Sequence, residues 1–197
     1  GQYRVVLAAR AYGQGEFLPE LRKGNASLVD IVPTLSELLG GKPLGERVDG
    51  VSLLSASDDV LNTRPLFMET GFVVLEITRE EIDEKRLISE TIGAYSVDSD
   101  GKVVVRPDFE EMIIKAKHRA VLSGDWQLTM IPSLGQRLVL SNVKERKWWP
   151  VSRYEGDADW RKMLSKMCFH YKDDAGFDPA GLCELHGVGH GKGALSD

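Results

Sequence analysis

The chain opens on a short apolar run, Tyr3-Arg-Val-Val-Leu-Ala-Ala9, with no polar alternation. Such a run predicts a strand buried on both faces, as in a parallel sheet. Gly13, Gly15 and Pro19 then predict a loop. The clearest helix is Ser27–Leu39, where Ile31, Leu35, Leu38 and Leu39 recur at helical spacing. That spacing predicts one apolar face, buried against the strand at Arg4–Ala9. Asp30 stands where a helix cap belongs, and Pro33 falls in the first turn, where a missing N–H costs little. Gly40-Gly41 ends the helix.

Beyond a turn-rich stretch at Gly41–Asp59 the pattern changes. Leu66-Phe-Met68 and Phe72–Ile77 read as strands, and the charge-dense Thr78–Ser89 as an exposed helix. Tyr95–Val97 and Lys102–Val105 flank Asp100-Gly101, a strong hairpin signal. Asp108 is expected to cap a helix at Phe109–Lys117, with Glu110 and Glu111 near its start and Lys115 and Lys117 near its end. His118–Leu122, Trp126–Ile131 and Arg137–Leu140 read as short strands. Trp126, Leu128 and Met130 alternate onto one face. The Ser123-Gly124-Asp125 link is too short for a parallel crossover, so the first two strands must pair antiparallel. Asp159–Tyr171 predicts a last helix, followed by a glycine-rich, mobile tail from Gly187.

These elements predict an α/β or α+β fold. The last strand and helix of a parallel sheet occupy 1–58. A small antiparallel sheet with packed helices occupies 59–158, and a terminal helix with its tail occupies 159–197. A chain of 197 residues can bury enough surface to fold without staples. A net charge of -5 argues against a general nucleic-acid binder. No apolar run approaches the roughly 18 residues that span a bilayer. No signal peptide is visible in Gly1–Arg10. A strand already under way at Tyr3 is the expected mark of a fragment, and the compartment stays open between periplasm and cytoplasm.

Three stretches, in order, carry a resemblance. Ser27-Leu-Val-Asp-Ile-Val-Pro-Thr-Leu35 is similar to the helix that sulfatases place after the last strands of their catalytic sheet. Asp49-Gly-Val-Ser-Leu53 is similar to the short motif that closes that region. His118-Arg-Ala-Val-x-x-Gly-Asp-Trp-x-Leu128 resembles the strand pair of the family's small C-terminal domain. Between Tyr3 and Ile131 the chain thus resembles the C-terminal portion of a sulfatase, within the alkaline phosphatase superfamily. It departs at Lys144-Glu-Arg-Lys-Trp-Trp149, where sulfatases often place an Asp-Pro-x-Glu turn.

The resemblance implies a hydrolase of sulfate esters whose nucleophile is a formylglycine, made in a Cys/Ser-x-Pro-x-Arg motif. It also implies a divalent cation, usually calcium, held by oxygen ligands. Cys168 is followed by Phe-His-Tyr-Lys and Cys183 by Glu-Leu-His-Gly, and no serine fits the motif. No Asp-His-Gly or Asp-Asn metal motif appears either. The expected role is therefore non-catalytic, shaping one side of the substrate pocket beside a missing N-terminal catalytic part. No cofactor is expected in this chain. Alternatives are part of a phosphodiesterase or phosphoethanolamine transferase, or a free-standing binding module. Loss of neighbouring strands would leave the Arg4–Ala9 edge open, so a homodimer through that edge is expected.

Four further features invite chemistry. His118 and Arg119 are weak candidates for meeting an anionic substrate, although a strand arginine more often sits in a salt bridge. Cys168, His170, Cys183, His186 and His190 are crowded near the end, and unpaired residues, a disulfide and a zinc site all stay open. Lys144–Lys147 with Trp148-Trp149 suggests nucleic-acid or sugar stacking, against the plainer reading of a solvated surface. Asp98-x-Asp100-Gly101 resembles the start of a calcium loop, but the later ligands are missing, which favours a hairpin turn.

Overall fold

A computed structural model describes residues 24–41, 48–70, 84–132, 137–174, 176–178 and 181–188. The strands expected at Tyr3–Ala9 and Phe72–Ile77, the first part of the Thr78–Ser89 helix and most of the tail lie outside these residues. So does any pairing along the Arg4–Ala9 edge. The chain forms two compact units, Gly1–Arg64 and Pro65–Asp197. Among the described residues, no helix is long and apolar enough to cross a membrane.

In the first unit a single 3-10 turn, Leu28–Asp30, leads into helix α1, Ile31–Leu38. The glycine at position 40 takes a φ of 67° and ends the helical path. A second helix, α2 (Asp58–Thr63), is capped by Ser57, whose hydroxyl accepts from the Val60 amide.

The expected inner face of α1 is not the one observed. Pro33 and Ser36 are buried, whereas Leu35, Leu38 and Leu39 are 49%, 45% and 83% exposed, and Ile31 is half-buried. The reason lies in Asp30. Its carboxylate does not cap α1 but accepts the Ser27 and Val51 amides and both terminal nitrogens of Arg64. A buried carboxylate must be fully satisfied, so the face carrying Asp30, Pro33 and Ser36 turns inward.

The second unit is built on five strands: β1 (Leu66–Glu69), β4 (Arg119–Ser123), β5 (Trp126–Ile131), β6 (Arg137–Asn142) and β7 (Lys147–Pro150). They form one sheet in the order β1-β4-β5-β6-β7, antiparallel throughout. One register row crosses the whole sheet: Phe67, Val121, Leu128, Leu140 and Trp149 stand side by side. Val121, Leu128 and Leu140 have no exposure. Helix α5 (Trp160–His170) covers this face with Met163, Leu164 and Met167. Asp159 caps it by accepting from the Lys162 amide.

The antiparallel pairing of β4 with β5 is as expected, and Gly124 makes the turn at φ 59°. A separate hairpin joins β2 (Tyr95–Val97) to β3 (Val103–Val105), between α3 (Glu84–Gly93) and α4 (Pro107–Ala116). Asp98 accepts from the Asp100 and Lys102 amides there, an ordinary turn lock. Arg106, not Asp108, occupies the cap position of α4, because Pro107 fits the first helical turn, and Asp108 pairs with Arg106 instead.

Strand β7 was not expected. Its Lys144–Lys147 approach reads as solvated surface, yet Arg146 adopts φ 59° and turns the chain back onto β6. As the last strand in the sheet order it carries its lysine at the edge, where charge is tolerated. The described fold is therefore mixed α and β, with both sheets antiparallel.

Candidate functional site

Arg119 shares the core face of β4 with Val121, two residues on, and is 2% exposed. Its Nε donates to Asp174 at 3.4 Å, and the guanidinium lies 5.7 Å from the ring centres of both Tyr171 and Phe177. These contacts fasten β4 to the end of α5. Burial, joined by the Glu69 carboxylate, pushes the Tyr171 phenol well up, and its hydroxyl donates to the Met68 carbonyl.

His118 precedes β4 and does not join Arg119 in one site. Its amide donates to the Thr70 hydroxyl, while its ring Nε2 is buried without a hydrogen-bond partner. Burial pulls its pKa below the ordinary histidine value.

The cysteine–histidine cluster resolves differently from a metal centre. Cys168 and Cys183 form a disulfide with a Cα–Cα distance of 6.0 Å. His186 packs edge-on to Trp160 at 5.2 Å, and His170 stacks on Phe67 at 3.7 Å. His190 lies outside the described residues. Among the described residues, no group of three His, Cys, Asp or Glu side chains is placed to hold a metal ion.

The disulfide has a second consequence. It ties α5 to α6 (Leu182–Leu185), and the two helices form one wall of an open cleft of about 900 Å³. Trp160 and Arg161 come from α5, and Leu182 and His186 from α6 and its end. The opposite wall comes from the β6–β7 ladder, through Arg137, Leu138, Trp148 and Pro150, and from Val151–Tyr154 just after it. The turn at Val151–Arg153 leaves β7 directly and places Arg153 on the cleft. Tyr154 packs its ring against Trp126 and Trp149, 5.7 and 5.5 Å away, and its hydroxyl accepts from the Ala158 amide. That fixes the loop leading into α5.

Three arginines, 137, 153 and 161, line this cleft, and among the described residues no aspartate or glutamate does. Arg161 lies 4.4 Å over the Trp160 ring. Trp148 is 65% exposed and lines the cleft. The sequence singled out Trp148 through its neighbours, but Arg137, Arg153 and the adjacent Trp160-Arg161 belong to three different elements and carried no local signal. Compared with protein-family models, curated proteins and solved structures, the chain finds no match in any of the three.

Proposed function

We propose that this chain is the non-catalytic C-terminal part of a sulfatase-like hydrolase of sulfate esters, and that its antiparallel C-terminal domain shapes one side of the substrate pocket. On this reading Tyr3–Ala9 and α1 end a parallel sheet. The nucleophile, the cation ligands and the catalytic part itself are supplied by chain outside this sequence. The observation that carries the reading is a pair of hydrogen bonds. The Val51 amide donates to Asp30 at 3.0 Å, and the Leu53 amide donates to the Thr34 hydroxyl at 2.9 Å. They join two of the three stretches on which the family resemblance rests, Ser27–Leu35 and Asp49–Leu53. Gly50 is needed at that junction, since a Cβ there would overlap the Val29 carbonyl. Two short motifs with no chemistry of their own thereby gain a shared structural purpose.

The test has two arms. Purified chain is assayed with aryl sulfate and aryl phosphate, with and without calcium, and no turnover is expected. The coding region upstream of Gly1 is then read for a Cys/Ser-x-Pro-x-Arg motif, and the longer product assayed in the same way. Sulfate turnover by the longer product supports the reading, and phosphate turnover moves it to the phosphate-transferring branch. A start codon near Gly1 refutes it in favour of a free-standing binding module.

A further inference from the structure

We infer that the cleft between α5–α6 and the β6–β7 ladder binds a saccharide bearing sulfate or carboxylate groups. The inference goes beyond the hydrolase proposal and does not depend on it, because every residue used lies in the second unit. Three facts carry it. First, the cleft is basic: Arg137, Arg153 and Arg161 line it, and among the described residues no acid lines it and none of the three arginines makes an ion pair. A protein of net charge -5 that gathers three cations in one concavity has a local preference opposite to its overall charge. The planar guanidinium fork suits the paired oxygens of sulfate and carboxylate.

Second, Trp148 stands in the same cleft and is 65% exposed, whereas the Trp160 ring already lies under Arg161. An indole offers a flat apolar face to the C–H face of a sugar ring, while the arginines take its charged substituents. Third, the walls are fixed before any ligand arrives. The Cys168–Cys183 bond locks α5 to α6, and the Trp148 strand is hydrogen-bonded to β6. A preformed wall reduces the ordering cost of binding. The size of the cleft, about 900 Å³, is in the range of small-ligand sites and admits a short oligosaccharide.

Single-stranded nucleic acid also uses cations and stacking rings, but it needs a basic groove that tracks a long backbone. Here the flanking lysines are neutralised: Lys144 pairs with Asp125 and Lys147 with Glu145. With those two lysines paired, the cations offered beside Trp148 are the arginines of the cleft, which favours a small multiply charged ring over a polymer.

The experiment uses the full chain and follows tryptophan fluorescence on titration. The probes are chitobiose, its sulfated form, digalacturonate and a short oligothymidylate. Saturable binding of an anionic disaccharide, at least about tenfold tighter than chitobiose, is expected. Whichever of sulfated chitobiose and digalacturonate binds tighter identifies the preferred anion. The double variant Arg153→Ala/Arg161→Ala should weaken binding by about tenfold or more, and Trp148→Ala by about fivefold or more. These side chains are exposed, so all variants should keep the parent circular dichroism and melting temperature. The proposal is overturned by equal binding of chitobiose, by tighter binding of the oligothymidylate, by no saturable binding of either anion, or by variants that bind as the parent does.

Discussion

Asp30 and Arg64, thirty-four residues apart, form a paired ion contact in which Oδ1 takes one guanidinium nitrogen at 2.6 Å and Oδ2 the other at 2.5 Å. Asp30 has no exposure and the Arg64 side chain retains 13%. Arg64 also donates to the Asn25 carbonyl, so one side chain gathers the start of α1 and the end of α2.

Asp30→Asn should therefore be severe for the first unit. It keeps the shape but leaves a buried guanidinium without its countercharge, which costs roughly 3–5 kcal/mol. Hydrogen exchange over 27–64 checks it: amides of α1 and α2 should lose protection while those of β4–β6 keep theirs. Unchanged protection in α1 would show that the pair is dispensable.

The two units should respond to acid in different ranges. Burial works to raise the Asp30 pKa, but the hydrogen bonds from Arg64, Val51 and Ser27 outweigh it and hold the carboxyl below its ordinary value. A lowered carboxyl pKa contributes stability that is full above about pH 4 and is lost as pH falls through the folded value. His118 is lowered by burial, so its folded form binds fewer protons than the unfolded chain. Its contribution is present above about pH 6.5 and declines as pH falls below that. Thermal melts from pH 7.5 to 3 should show an early decline that His118→Asn removes and a later one that it does not.

Reduction of the disulfide should loosen the second unit. The bond closes a separation of 15 residues, and a loop of that size is worth about 3 kcal/mol. Melting with and without reductant measures this. Cys168→Ser/Cys183→Ser should melt with the reduced parent, several degrees below the oxidised chain, and should bind the saccharide probes more weakly because α6 is no longer held to α5.

Gly50→Ala tests the close approach at the motif junction. The added methyl meets the Val29 carbonyl backbone, which has little room to yield. A loss of roughly 1–3 kcal/mol is expected from such overpacking. An equilibrium urea series on the full chain measures it. The glycine at position 101, with φ 77° and open space around it, serves as a contrast, since Gly101→Asn keeps a residue type that tolerates that conformation.

Much of the second unit was legible in the sequence. Strands β4, β5 and β6, the Asp100-Gly101 hairpin and α5 come from alternation, turn chemistry and helical spacing. For Arg119 the sequence offered a salt bridge as the plainer role, and Asp174 supplies it. Strand β7 was not, because Lys144–Lys147 disguises an edge strand as surface. The cleft was visible only through Trp148.

What the sequence determined by itself was local: where the chain turns, where it coils, and which residues alternate within one element. Those depend on neighbours a few residues away. What only the tertiary structure decided was orientation and assembly. The Leu35 and Leu39 face of α1 looked like the inner one, but the need to satisfy a buried Asp30 turned Pro33 and Ser36 inward instead. Likewise, Arg137, Arg153 and Arg161 share one cleft because β6, the turn after β7 and α5 meet in space, and a disulfide holds α6 beside them. No periodicity encodes such meetings, since they arise from contacts between elements rather than from the spacing within one.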